Sequence, residues 1–292
     1  MTALTAPRMP AAPAFVAPRN ACDAHTHVFG APDDFPAGPS SYPIPRATAP
    51  VHRAALAAMG VDRGVLVQPA PYGTDTRALE HALAAGGGRL AGIAAADATV
   101  TDSTLDRLHA LGVRGLRFNL RTDPRTGAPF QGAIGAADLE ALVPRLRERG
   151  WHAQVWASIG DGVRAVDSLA GRGVTVVFDH MAQLVPARGM DDPGFRRLLG
   201  QVRAGAAWVK LSLCRVSTPE YADVRPFHDA LVEANPERLL WGSDWPYVAM
   251  AERAPDAGRL LDVFAEWTAD QDLQRRILVA NPSQLFDFTE DR

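Results

Sequence analysis

The stretch CDAHTHVFG, residues 22–30, holds His25 and His27 one residue apart. On a strand, alternate side chains share a face, so both imidazoles can reach one atom. Farther along, VVFDH sets His180 directly after an apolar, β-branched run. WGSDWP sets Asp244 after a Gly-Ser turn and ahead of Trp245 and Pro246. Taken singly, each of these residues is explained by a cap or a hydrogen bond. Three imidazoles and one carboxylate converging from separate strands are not explained as core filler. A single zinc ion needs three or four N/O ligands and one open position, which His25, His27, His180 and Asp244 can supply. The same four can also act without a metal, and the spacing leaves both readings open.

Arginines stand near these residues in the pattern. Arg117 and Arg121 bracket a strand end in RGLRFNLR, and Arg215 follows VKLSLC. A guanidinium pairs bidentately with a carboxylate, so the three read as clamps for an anionic substrate, with a surface ion pair as the plainer alternative. Tyr42, Tyr72 and Trp156 read as an aromatic wall with phenol donors, or as packing. Lys210 reads as the partner of a neighbouring carboxylate such as Asp179, with donation to a substrate oxygen as the alternative, and Cys214 lacks a base partner within its motif. His52, His81, His109, His152 and His228 fall on helical patterns or a strand start and read as structural.

The elements that must position these side chains alternate along the chain. Eight short apolar runs begin at Ala21, Val61, Leu90, Val113, His152, Val174, Trp208 and Leu239. Amphipathic stretches such as DLEALVPRLRERG and PGFRRLLGQVRAG separate them, with apolar positions three and four apart. That alternation predicts an α/β fold, a single-domain (β/α)8 TIM-type barrel over 20–292 with its site at the C-terminal mouth. No Gly-rich dinucleotide turn follows the first run, which disfavours a doubly wound sheet. Residues 1–19 read as a flexible Ala/Pro-rich arm. The Pro-rich stretch 28–50 is too long for an ordinary βα turn and reads as a flap over the mouth. A net charge of -3 without a basic face gives no reason to expect nucleic acid. No apolar run reaches the roughly 18 residues of a membrane span. Two cysteines in 292 residues, without CxxC spacing, fit a cytoplasmic protein, and homo-oligomerisation is left open.

In order, DAHTHVFG, VLVQPAPYGTD, GVRGLRFN, VVFDHM, WVKLS and LLWGSDWP resemble the amidohydrolase superfamily, in its branch of small lactone hydrolases of the pyrone-dicarboxylate type. The resemblance runs from about Asp23 to Pro282 and implies the same barrel. It implies a hydrolase in which His25, His27 and His180 polarise a lactone carbonyl while Asp244 takes a proton from the attacking water. It further implies no cofactor, with a single divalent zinc ion as the alternative, and an anionic lactone from catabolism as substrate. Trp156 ends the strand that would carry a bridging ligand in two-metal relatives. The chain departs from the pyrone-dicarboxylate pattern in three places. Arg121 is displaced by one position, Ala70 and Tyr72 replace a Ser and a His, and Trp156 replaces a Tyr. The rivals are a lactone isomerase of the same superfamily, a zinc-dependent decarboxylase or amide hydrolase, and a silent barrel that only binds.

Overall fold

The computed structural model describes residues 6–38, 40, 42–122, 134–217 and 220–289. Eight strands, Cys22–Thr26 (β1), Arg63–Val67 (β2), Leu90–Ala94 (β3), Val113–Asn119 (β4), His152–Trp156 (β5), Val176–Phe178 (β6), Ala207–Leu211 (β7) and Leu239–Trp241 (β8), form one sheet in chain order. Every neighbouring pair is parallel. The sheet curls on itself at the seam between β1 and the chain leaving β8. There the His27 N–H donates to Trp245 O and the Asp244 N–H to His25 O, both at 2.9 Å. The seam is therefore made of the backbone of the residues whose side chains meet at the mouth.

Helices cover the sheet: Ala49–Ala58 (α1), Arg77–Ala84 (α2), Asp102–Ala110 (α3), Ala136–Glu148 (α4), Ile159–Leu169 (α5), Pro193–Arg203 (α6), Arg225–Ala234 (α7) and Ala257–Trp267 (α8). Helix α6 shows how sequence sets such an element. Asp192 caps it by accepting the Phe195 N–H at 3.0 Å, and Pro193 opens the first turn, where its missing N–H loses nothing. Phe195, Leu198 and Val202 recur at helical spacing and are buried, and Gly205 at φ +73° lets the chain turn away.

The strands begin where a second apolar cluster closes the far end of the barrel. Cys22, Ala24, Val65, Ala91, Val177, Trp208 and Leu240 pack there with Phe286 and Phe288. Arg63 reaches into this floor, donating to Ser283 Oγ at 3.0 Å and Thr289 O at 2.7 Å. Apart from Arg63 and His152, the strand starts pack apolar side chains, and the polar residues gather at the strand ends, the face where barrel enzymes keep their chemistry.

Strand β1 carries an irregularity that matters at the mouth. Asp23 pairs with Gly64, but Thr26 pairs with Leu66, so three steps on β1 match two on β2. The extra residue shifts the alternation of side chains. Cys22 and Ala24 therefore pack in the floor cluster, while His25 and His27 both approach Asp244.

Residues 28–38 lie against the turn Ala70–Tyr72, with the Gly38 N–H on Pro71 O at 2.8 Å and the Gly30 N–H on Tyr72 Oη at 2.9 Å. The N-terminal segment is tied to α8 and its approach: Phe15 N–H donates to Asp262 Oδ1 at 2.8 Å, Ala11 N–H to Asp256 Oδ2 at 3.1 Å, and Arg8 Nη1 to Ala254 O at 3.2 Å. Among the described residues, no helix is long and apolar enough to cross a membrane.

Candidate active site

Asp244 follows β8 in left-handed backbone, φ +68°. Its neighbours fix it: the Ser243 N–H donates to Asp23 Oδ1 at 2.9 Å, and the Trp245 N–H to Ser243 Oγ at 3.0 Å. His180 leaves β6 through four consecutive non-glycine residues at positive φ, His180 to Gln183. Left-handed backbone costs roughly 1–2 kcal/mol per residue, and such strain concentrates at functional sites.

These two exits and β1 deliver one constellation. Asp244 Oδ1 lies 3.4 Å from His27 Nε2, 3.6 Å from His25 Nε2 and 3.9 Å from His180 Nε2. The other oxygen, Oδ2, accepts a short bond from Arg215 Nε. Burial would raise the Asp244 pKa, but the Arg215 guanidinium and the surrounding imidazoles hold it well below the usual carboxylate range. Burial pushes His180 down to about 4 and His25 well below its ordinary value, so both rings are neutral near pH 7.

The far nitrogens of the rings define their states. His27 Nδ1 is 2.7 Å from the Val67 carbonyl, which only accepts, so Nδ1 carries a proton. His25 Nδ1 lies 3.1 Å from Asp179 Oδ1 and 3.5 Å from Lys210 Nζ. His180 Nδ1 has no protein partner among the described residues. His27 Nε2 and Asp244 Oδ1, 3.4 Å apart, form a grouping that complements a water molecule or a cation. His25, His27 and Asp244, and separately His25, Asp179 and His180, bring ligand atoms within 4.8 Å of one another. The donor set fits one divalent ion.

The remaining expected residues divide. Arg117 Nε donates to Asp179 Oδ2 at 3.0 Å, and its guanidinium stands 5.4 Å from the Trp156 ring centre. Arg121 stacks on the same ring at 4.9 Å and, with Arg215, Ser158, Gln183 and Val185, lines a cavity of about 380 Å³. Trp156 is thus a platform for two guanidinium groups. Burial raises the Tyr42 hydroxyl to about 12, with the Arg117 and Arg215 charges acting against that rise. Tyr72 is buried with its hydroxyl on the Gly30 N–H. Lys210, fully buried and brought down to about 8 by burial, donates to Gln154 Oε1 at 2.6 Å and stands 3.6 Å from Asp179 Oδ1. The structural pairing expected for it is present.

Sequence reasoning missed Asp23, Gln154, Ser158 and Gln183. Asp23 stands two residues before His25 on the same strand, so a third polar residue beside HxH was the available signal.

Known proteins resemble the chain over nearly its whole length. It is 32% identical over 290 residues to a 2-pyrone-4,6-dicarboxylate hydrolase of Comamonas testosteroni, covering 95% of this chain and 93% of the relative. A 4-sulfomuconolactone hydrolase of Rhizobium radiobacter is 33% identical, with 96% and 94% covered. A D-galactarolactone isomerase of Agrobacterium fabrum is 29% identical, with 94% and 92% covered. Among solved structures, one from Pseudomonas putida assigned as a 2-pyrone-4,6-dicarboxylic acid hydrolase superposes with a TM-score of 0.80 at 32% identity, covering 93% of this chain and 99% of that one. The amidohydrolase family model matches residues 22–288, and the chain belongs to that family.

Proposed function

We propose that the protein opens an anionic lactone by water attack, with Asp244 as general base. The observation that carries this reading is the approach of three imidazole Nε2 atoms to the one Asp244 oxygen that Arg215 leaves open. A water seated there donates one O–H to Asp244 Oδ1 and gives up that proton as its oxygen attacks the carbonyl. His180 is neutral near pH 7 and can offer an N–H to the developing oxyanion. His27 can do so through Nε2 only as the imidazolium, because Val67 already occupies Nδ1. The proton on Asp244 then passes to the leaving enolate or alkoxide oxygen as the ring opens.

Charge supports both the substrate class and a metal-free reaction. Among the described residues, Arg117, Arg121, Lys210 and Arg215 stand about the ionised Asp179 and Asp244, and burial holds the nearby Asp23 up at about 7. Such an excess attracts an anion and opposes a dication. Arg121 and Arg215, with Ser158 and Gln183, line the cavity that would receive the substrate's acidic group. His25, His27, His180 and Asp244 would be the ligands of a single divalent ion, which when bound would polarise the lactone carbonyl as a Lewis acid. Free, buried Cys22 and Cys214 fit a reducing, cytoplasmic setting.

The isomerase relative uses a lactone as well, and an internal hydroxyl can replace water against the same base. Turnover of mono- and dicarboxylated lactones in ¹⁸O-water separates the two. Hydrolysis places one ¹⁸O in the new carboxylate, and isomerisation places none. Unchanged turnover after dialysis against a chelator is the expected result. Loss of turnover with restoration by zinc would overturn the metal-free reading.

A further inference from the structure

Asp179 leaves β6 into the interior and is fully buried. Its two oxygens face different groups. Oδ2 accepts from Arg117 Nε at 3.0 Å, whereas Oδ1 lies 3.1 Å from His25 Nδ1 and 3.6 Å from Lys210 Nζ. Oδ1 makes no hydrogen bond of good geometry among the described residues; a buried carboxylate oxygen without a donor forfeits its solvation for nothing in return, and these two groups are the ones placed to serve it. Lys210 is the farther, and its closest bond goes to Gln154 Oε1 at 2.6 Å. The alternative has Lys210 donate at 3.5 Å to a bare His25 Nδ1. That would press two acceptors together at 3.1 Å in a buried medium, where the repulsion is strong. The proton belongs on Nδ1, which leaves the Nε2 lone pair turned toward Asp244 Oδ1 at 3.6 Å, placed to accept the second O–H of a water held there and not to polarise a carbonyl.

We propose that Asp179 is a positioning residue for the lactone-opening reaction, holding His25 as its Nδ1–H tautomer while Arg117 and Lys210 hold the carboxylate. The proposal rests on the lactone reading above for its kinetic part only. It gives Arg117 a task that does not depend on substrate charge, in addition to any contact with an anion.

The first test needs no variant. Long-range ¹H–¹⁵N correlation spectra of the full chain with labelled histidine distinguish the two neutral tautomers, and the His25 signals are assigned by their loss in His25→Asn. His25 as the Nδ1–H form is the expected result, and the Nε2–H form overturns the proposal. The second test is kinetic. Asp179→Asn alone strips the counter-charge from two buried cations and risks misfolding, so it is paired with Asp179→Asn/Lys210→Met, which removes one charge of each sign. In the folded double variant kcat should fall about 10–100-fold, the scale seen when a carboxylate that orients a metal-bound histidine is lost. KM should move by less than about threefold, because the interaction lost is one made in the transition state. A folded double variant that keeps kcat within about twofold of the parent overturns the proposal. If the parent opens no lactone, the functional reading fails by itself, and the His25 spectrum still decides the role of Asp179.

Discussion

Asp244 receives contacts on both oxygens, and both sets favour its ionised form. Arg215 occupies Oδ2, while the imidazoles ring Oδ1, the oxygen to which the proposed mechanism gives the proton of the attacking water. Asp244→Asn keeps the shape and removes the base. Turnover should fall by about 10²–10⁴-fold, the range of general-base contributions, while lactone affinity measured by calorimetry stays within about threefold. A variant that turns over at the parent rate would remove Asp244 from this role. The four central residues were legible because each sits at the end of an apolar run. Asp23 was not, because its partner Ser243 lies 220 positions away. Arg215 was legible as a cation but not as the partner of Asp244, since only closure of the seam between β1 and the β8 exit brings them to one place. Trp156 read as a substrate wall or as packing, and it lies beneath two guanidinium groups.

At the scale of elements, the eight apolar runs became eight strands, and DLEALVPRLRERG and PGFRRLLGQVRAG became α4 and α6. What periodicity could not reveal were the departures from regularity. The extra residue of β1 and the left-handed turn from His180 to Gln183 are single breaks in the backbone that no repeat of apolar residues records. Both aim a candidate catalytic side chain. Gly242 belongs with them because the β8 exit passes so close to β1: a Cβ there would stand 2.8 Å from His25 Cβ and 3.0 Å from His25 N. Since one of those atoms is backbone, Gly242→Ala must push the seam apart. It should destabilise the fold by about 1–3 kcal/mol, the usual range for overpacking, and lower kcat more than it raises KM. Thermal melts alongside kinetics check this, and unchanged values on both would show that the seam tolerates displacement.

For the whole molecule, buried histidines govern the acid side of stability. Burial sets His52 and His180 at about 4 and His152 at about 3, against 6.5 for the free side chain. Between about pH 4 and 6.5 the unfolded chain binds more protons at all three, so stability falls as pH falls through that window. Asp23 acts the other way, because burial raises it from 3.8 to about 7 and the folded state holds its proton longer. Three groups outweigh one, and the melting temperature should climb from pH 4.5 to 6.5. A flat or falling profile would contradict the burial of these rings as neutral bases. The barrel itself was legible from the alternation of apolar runs and helical patterns, whereas the course of the Ala/Pro-rich segment was not, since it is held by backbone bonds that leave no periodic trace. That segment reaches the mouth from behind: the Trp245 indole N–H donates to Arg8 O at 2.9 Å, one residue from Asp244. Removing residues 1–10 for the sake of a tidier crystal would therefore delete a support of the residue next to the proposed base, and a shortened chain that melts like its parent could still be a poorer enzyme.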